Sequence, residues 1–313
     1  MKVSTAEPFQ ITYSLLQHEY LGYLFESFMV QLDQNGKLTL KHQNISSKNA
    51  SEFSSGLDDK DYRLIELMDS IQQEVIIKKF YNKKITPPEF FHKVYNKEKG
   101  DKILQEAISN YIDQRMADIL ALMEGKMVFE MGSDGEPTWK QVTVAPHKAS
   151  VLFHFMRNED NTHYFPTIKY QGEKVEFAYK NAIIVCNQPA WLLVDNMLYH
   201  FEGEIDGNKL RPFLNKKFIV VPRKMEDTYY EKFITPVIAA FNVHAKGFDI
   251  QPIEENPQPV ISITELGGNE NLSLFDQKES KESENSKIVL GLSFQYGKFS
   301  FPSDNTAISY VKL

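Results

Sequence analysis

The residues of this chain whose types and spacing could do chemistry are cations interleaved with aromatic rings. Lys78-Lys79-Phe80-Tyr81-Asn82-Lys83-Lys84 is continued by Lys93, Lys97, Lys99 and Lys102, with Phe90, Phe91 and Tyr95 between them. Ammonium groups neutralise backbone phosphates, and exposed aromatic rings stack on bases. A second stretch runs from Lys209-Leu210-Arg211 through Lys216-Lys217 to Arg223-Lys224 and holds no acid between Gly207 and Met225. Lys78, Lys79, Lys83, Lys84, Lys93, Arg211, Lys216, Lys217, Arg223 and Lys224 are therefore the candidate nucleic-acid contacts. The competing expectation is that such runs are solvated helix faces and loops, with their aromatics in the core. Phe153, Phe155, Tyr164, Phe165, Tyr170, Phe177, Tyr179 and Trp191 are likewise expected in the core and not on a base-stacking platform.

Other chemistries lack their residues. A phosphate-cradling loop needs Gly-Lys followed by Ser or Thr, so that backbone N–H groups, an ammonium and a hydroxyl converge on phosphate and magnesium. The Gly-Lys pairs here are followed by Leu38, Met127 and Phe299. There is no Asp-Glu dipeptide for a helicase-type Asp-Glu-x-His box, and no Gly-x-Ser-x-Gly elbow for an activated serine. Cys186, the single cysteine, lies in the apolar run Ala182–Cys186. It has no sign of the electropositive setting that makes a thiolate nucleophile, and one cysteine excludes a cysteine-based zinc site. His154 and His163 flank an expected hairpin turn with Asp160 nearby, and ordinary half-buried histidines outweigh a metal site there. The carboxylates are scattered, so no acid–base pair is nominated. The expectation is no catalytic, cofactor-binding or metal-binding residue in this chain.

The composition bounds the setting. A length of 313 residues, 42% hydrophobic and 25% charged, allows one large domain or two ordinary ones. A formal charge of -7 argues against a wholesale nucleic-acid binder but not against a local basic patch. The polar N-terminus MKVSTAEPFQ lacks the apolar core of a signal peptide, and no apolar run reaches the length of a membrane span. With one cysteine, these point to the cytoplasm and to no membrane partner.

The elements that must position the cations follow from periodicity. Pro8–Leu21 reads as a short helix. Leu24–Asp33 and Lys37–His42 flank Gln34-Asn35-Gly36, a hairpin signal, and 43–57 reads as a loop. Asp58 to Asp61 opens a helix, with Leu64, Ile65, Met68, Ile71 and Val75 at helical spacing. Thr86-Pro87-Pro88-Glu89 opens the next through a capping box. A longer helix spans about Asp101 to Glu124, with Ile103, Ala107, Ile108, Tyr111, Ile112, Met116, Ile119 and Met123 on one stripe. At Gly125 the period changes from helical to alternating, which marks the expected domain boundary.

Beyond it, strands are expected over Met127–Met131, Trp139–Val144, 151–202 and Lys217–Val221. Turns are expected at Asn158 to Asn161, Gln171-Gly172 and Asp195-Asn196, with a polar loop over 203–213. A helix is expected near 226–241, a flexible linker over 267–286, and strands over 287–313 that stop inside their pattern, as in a piece of a longer protein. The fold class is α+β: a helical N-terminal half (1–125) with a β-hairpin near 24–42, then a β-rich half (126–266) of mainly antiparallel strands.

Several stretches together carry a family likeness: MKVSTAEPFQITYSL, YLGYLFESFMVQL with LKHQNISSKNASEF, VLFHFMRNEDNTHYFPTIKYQGEKVEF, PAWLLVDNMLYHFE, LRPFLNKKFIVVPRKMEDTYYEKFITPVI and LGLSFQYGKFSF. In these the chain resembles the N-terminal accessory region of bacterial Swi/Snf-family helicase-like proteins. The likeness is broad and diffuse, and none of the stretches is a catalytic signature. It implies a parent superfamily-two ATPase that translocates on double-stranded DNA. Its two motor lobes would hold ATP and magnesium outside this chain, and this region would be a non-catalytic attachment that regulates the motor or docks DNA or a partner. Some relatives begin with a cysteine- and histidine-rich zinc module, which is absent here, so no metal site is carried over. The alternative is a free-standing ligand- or protein-binding module with no motor.

Overall fold

In a computed structural model of the chain, residues 2–203, 205–229, 243–246, 258–266, 287–296 and 299–302 are described. The fold is α+β, and it divides into two compact units: Met1–Phe155, His163–Val220 and Phe241–His244 form one, and Met156–Thr162, Val221–Ala240 and Ala245–Leu313 the other.

The first unit is built on its N-terminal strand. Residues Phe9–His18 form strand β1, not the expected helix. The segment is buried on both faces, so it shows no clean polar–apolar alternation that would have marked it as a strand. It pairs antiparallel with β2 (Gly22–Leu32) over ten residues and parallel with β4 (Val128–Met131). Strand β3 (Leu38–Asn44) pairs with β2 across the expected Asn35-Gly36 turn, where Gly36 holds a φ of 76°.

Between β3 and β4 the chain runs through a 3-10 turn at Ala50–Gly56, within the stretch expected as loop, and then four helices: α1 (Asp59–Ser70), α2 (Gln73–Phe80), α3 (Pro87–Val94) and α4 (Lys102–Leu122). They pack on the face of the sheet carrying Ile11, Tyr13 and Leu15, and bury Leu64, Ile65, Met68, Ile108, Ile112, Met116 and Ile119 against it. Ile103, expected on the same stripe, is exposed.

Local chemistry explains the helix starts. Asp58 accepts from the Asp61 N–H at 2.7 Å, while Asp61 accepts from the Asp58 N–H at 3.0 Å. At α3, Glu89 accepts from the Thr86 N–H at 3.0 Å and its hydroxyl at 2.6 Å. Both are reciprocal caps of donors that the first helical turn leaves unpaired.

Strands β5 (Pro137–Val144), β9 (Ile183–Cys186), β10 (Trp191–Val194) and β11 (Met197–His200) complete an eight-stranded sheet in the order β3-β2-β1-β4-β5-β11-β10-β9. The change of period at Gly125 therefore marks a change of element and not of domain, because β4 re-enters the sheet beside β1. The strands are mainly antiparallel; β1–β4 and β5–β11 are the parallel pairs among those named.

A second sheet begins with β6 (Ser150–Arg157) and β7 (Asn161–Tyr170), and β8 (Glu173–Val175) pairs on β7. Residues 203–213, expected as loop, contain α5 (Gly207–Leu210) and a 3-10 turn at Arg211–Phe213. Strand β12 (Ile219–Pro222) lies one to two residues later than expected and borders β7 in the sheet order β12-β7-β6-β13, where β13 is Val243–Lys246.

In the second unit, α6 (Glu226–Tyr229) opens the expected helix, whose continuation lies outside the described residues. Strands β14 (Gln258–Leu266), β15 (Lys287–Tyr296) and β16 (Phe299–Pro302) form an antiparallel sheet. The linker expected over 267–286 and the strand expected over 303–313 lie outside the described residues. Among the described residues, no helix is long and apolar enough to cross a membrane.

Candidate nucleic-acid interface

The first basic stretch occupies the end of α2, the 81–86 loop and α3. Lys78 and Lys79 sit in the last turn of α2, where cations oppose the negative end of the helix dipole. Lys78, Lys83 and Lys84, with Glu74, Tyr81 and Asn82, line a surface cleft of about 400 Å³. Lys78, Lys83 and Lys84 are exposed, and among the described residues none is paired with a carboxylate. The other two candidates are engaged with rings. Lys79 lies 4.7 Å from the centre of the Tyr111 ring, and Lys93 donates to the Tyr81 hydroxyl at 2.8 Å from over its ring. Burial would raise the Tyr111 phenol, but its hydrogen-bond partners Arg115 and Ser70 and the nearby Lys79 charge outweigh burial and lower its pKa.

Of the aromatics interleaved with this stretch, Phe80, Tyr81 and Tyr95 are half-buried against the core. Phe90 and Phe91 are buried, and Phe91 stacks on Tyr20 at 5.0 Å beside Tyr95, whose phenol burial pushes up to about 12. The α2–α3 cleft thus offers cations and the ring of Tyr81, over which Lys93 already lies.

The second stretch is divided between the two units: Arg211, Lys216 and Lys217 belong to the first, Arg223 and Lys224 to the second. Arg211 donates to Asn187 Oδ1 at 2.8 Å, and Asn187 in turn donates to Asp113 on α4 at 3.0 Å, so this guanidinium ties α5 down. Arg223 donates to the Glu159 carbonyl at 3.1 Å and pairs with Glu226 at 3.5 Å, which closes the β6–β7 turn. These two arginines are structural, and Lys216, Lys217 and Lys224 remain as exposed cations.

Linear spacing missed a third cluster. Glu176 pairs with Lys174 at 2.6 Å, which holds its carboxyl below the usual range, and the charges of Lys217 and Lys180 act in the same direction. The fold thus brings Lys217 to Lys174 and Lys180. The signal lay in the turn: Gln171 and Gly172 have φ of 52° and 87°, so Tyr170 faces Glu173 and Lys169 faces Lys174 across the strands.

The aromatics of 153–191 fall into two sets. Phe153, Phe155, Tyr164, Phe177 and Trp191 are core as expected, and Phe155 stacks on Tyr164 at 4.6 Å. Alternation along β7 turns the neighbouring residues outward, so His163, Phe165 and Thr167 are half-exposed and Lys169 exposed. Here His163 stacks on Phe218 at 4.6 Å and His154 on Phe165 at 4.8 Å. Tyr170 is half-buried, and Tyr179 is 64% exposed with a φ of 61°.

Among the described residues, no group of three or more His, Cys, Asp or Glu is placed to hold a metal. Cys186, at the end of β9, is buried against α4, and burial pushes its thiol up to about 12, far from a thiolate nucleophile. No family model, curated protein or solved structure matches the chain.

Proposed function

We propose that this chain is a non-catalytic DNA-docking module, the accessory region of a Swi/Snf-type ATP-dependent translocase whose ATP and magnesium belong to separate motor lobes. The observation that carries the DNA-docking part is the convergence of Lys78, Lys83 and Lys84, without paired carboxylates among the described residues, on one cleft beside the α2 C-terminus. Cations held this way contact duplex phosphates and read no bases, so they position a duplex and do not select a sequence. The translocase part rests on the family likeness in the sequence.

The test is duplex affinity against salt. Lys78→Ala, Lys83→Ala and Lys84→Ala combined should weaken binding and reduce the slope of log affinity on log salt by about 2.7. An unchanged slope removes these lysines from the interface. Reading the frame past codon 313 tests the motor: a Gly-Lys-Thr loop and an Asp-Glu-x-His box downstream support it, and a stop codon removes it.

One observation favours a second reading, a free-standing protein-binding module. On the β14–β15 sheet, Ile261 faces Leu292 and Ile263 faces Leu290, so all four lie on one face, with Ile261 and Ile263 each 70% and Leu290 69% exposed. Apolar patches of that kind mark interaction surfaces. A stop at codon 313 together with no duplex binding by the wild-type chain would favour it.

A further inference from the structure

We propose that the outward face of β6, β7 and β8 is a binding surface for single-stranded nucleic acid, distinct from the α2–α3 cleft and not dependent on it. Three observations converge on this face. First, the stacked pairs His163–Phe218 and His154–Phe165 stand side by side on it, with interplanar angles of 17° and 15°. Phe218 is 45% exposed, and His163, His154 and Phe165 are half-exposed. Rings presented from a sheet in this way stack unpaired bases, and a duplex keeps its own bases stacked out of their reach.

Second, the same face continues from Phe165 through Thr167 to Lys169, which lies directly opposite Lys174. Like charges directly opposite one another destabilise a strand pair. Glu176 offsets Lys174 from the side, but no carboxylate pairs with Lys169 among the described residues. A polyanion laid along β7 would relieve that repulsion. Third, Lys217 immediately precedes Phe218 and its charge acts at Glu176 together with those of Lys174 and Lys180. Lys217, Lys174 and Lys180 therefore form one cationic cluster around Glu176, beside Lys169 and next in the chain to the stacked Phe218. From His163 to Lys169 the strand spans roughly 20 Å, enough for the shortest single-strand sites of about four nucleotides.

The complementarity selects the partner. An apolar peptide would leave the opposed lysines unrelieved, and an acidic one would leave the rings without bases to stack. The shared chemistry is an unpaired strand, and oligo(dT) and oligo(U) distinguish DNA from RNA as its source.

The experiment titrates the full chain with fluorescent oligo(dT), oligo(U) and an abasic strand of equal length at about 50 mM salt and upward. Oligo(dT) or oligo(U) should bind roughly tenfold or more tightly than the abasic strand, and Phe165→Leu and Phe218→Leu should each weaken binding roughly tenfold while keeping an apolar side chain. Lys169→Ala with Lys174→Ala should lower the salt slope by about 1.4. Near-UV circular dichroism checks that each variant stays folded, and the lysine pair, being exposed, serves if a Phe→Leu variant does not. The α2–α3 triple variant should bind oligo(dT) as wild type does. No binding by the wild-type chain, equal binding of the abasic strand, or loss in the α2–α3 variant with none in the β7 variants would overturn the proposal.

Discussion

Lys126 holds together two acids that would otherwise repel. Its ammonium donates to Asp61 Oδ1 at 2.6 Å and to Asp58 Oδ2 at 2.8 Å, and the buried Tyr13 hydroxyl donates to Asp61 at 2.6 Å. The Asp61 side chain is almost wholly buried, so Lys126→Met should leave an uncompensated charge and lower stability by about 3 kcal/mol in urea unfolding. Asp58 is largely exposed and adds little to that figure. It does give the pH dependence. Its hydrogen bond from Lys126 holds the Asp58 carboxyl below its usual range. That stabilisation is present above the unfolded value of about 3.9 and is lost as pH falls through the folded one. Lys126 behaves in the opposite sense: burial pulls its pKa down, the two carboxylates outweigh burial and raise it, and its stabilisation is lost only as pH rises through that raised value. Urea midpoints should therefore decline on the acid side in the wild type, and less so in Lys126→Met.

The helix starts show what was legible at the scale of elements. Glu89 three residues after Thr86 is a pattern that needs no tertiary contact, and the structure forms it. Glu89→Ala should lower the thermal midpoint, with no effect on oligo(dT) binding. Turns at Gly36, Gln171-Gly172 and Asp195-Asn196 were legible for the same reason, since each carries a residue at positive φ that local chemistry favours. Strand β1 was not legible. Its alternation is erased because Tyr13 faces the helices while Thr12 and Ser14 are also fully buried on the opposite side. The first lysine cluster could be found from spacing because α2 and α3 are adjacent in the chain. The face of β6–β8 could not, because the Gln171-Gly172 turn sets Lys169 against Lys174 but the contact of Phe218 with His163 exists only once β12 lies beside β7.

For the molecule as a whole, affinity for an anion and stability are expected to oppose each other on that face. Lys169→Glu converts a like-charge cross-strand pair into an attractive one and should raise the unfolding free energy by about 0.5 kcal/mol. The same change should weaken oligo(dT) binding. Chemical denaturation and strand titration on one preparation check both, and a fall in both would mean that Lys169 serves the hairpin alone. The parallel pairing of β1 with β4 has a consequence for the nascent chain. β1 leaves the ribosome well before β4, and the neighbour on its β4 side arrives only after four helices have been made. Until then the β1–β2–β3 piece presents an open edge of unpaired N–H and C=O groups flanked by apolar side chains. Contacts so far apart in sequence form slowly, so the period of greatest exposure to misassembly falls while α1 to α4 are being synthesised.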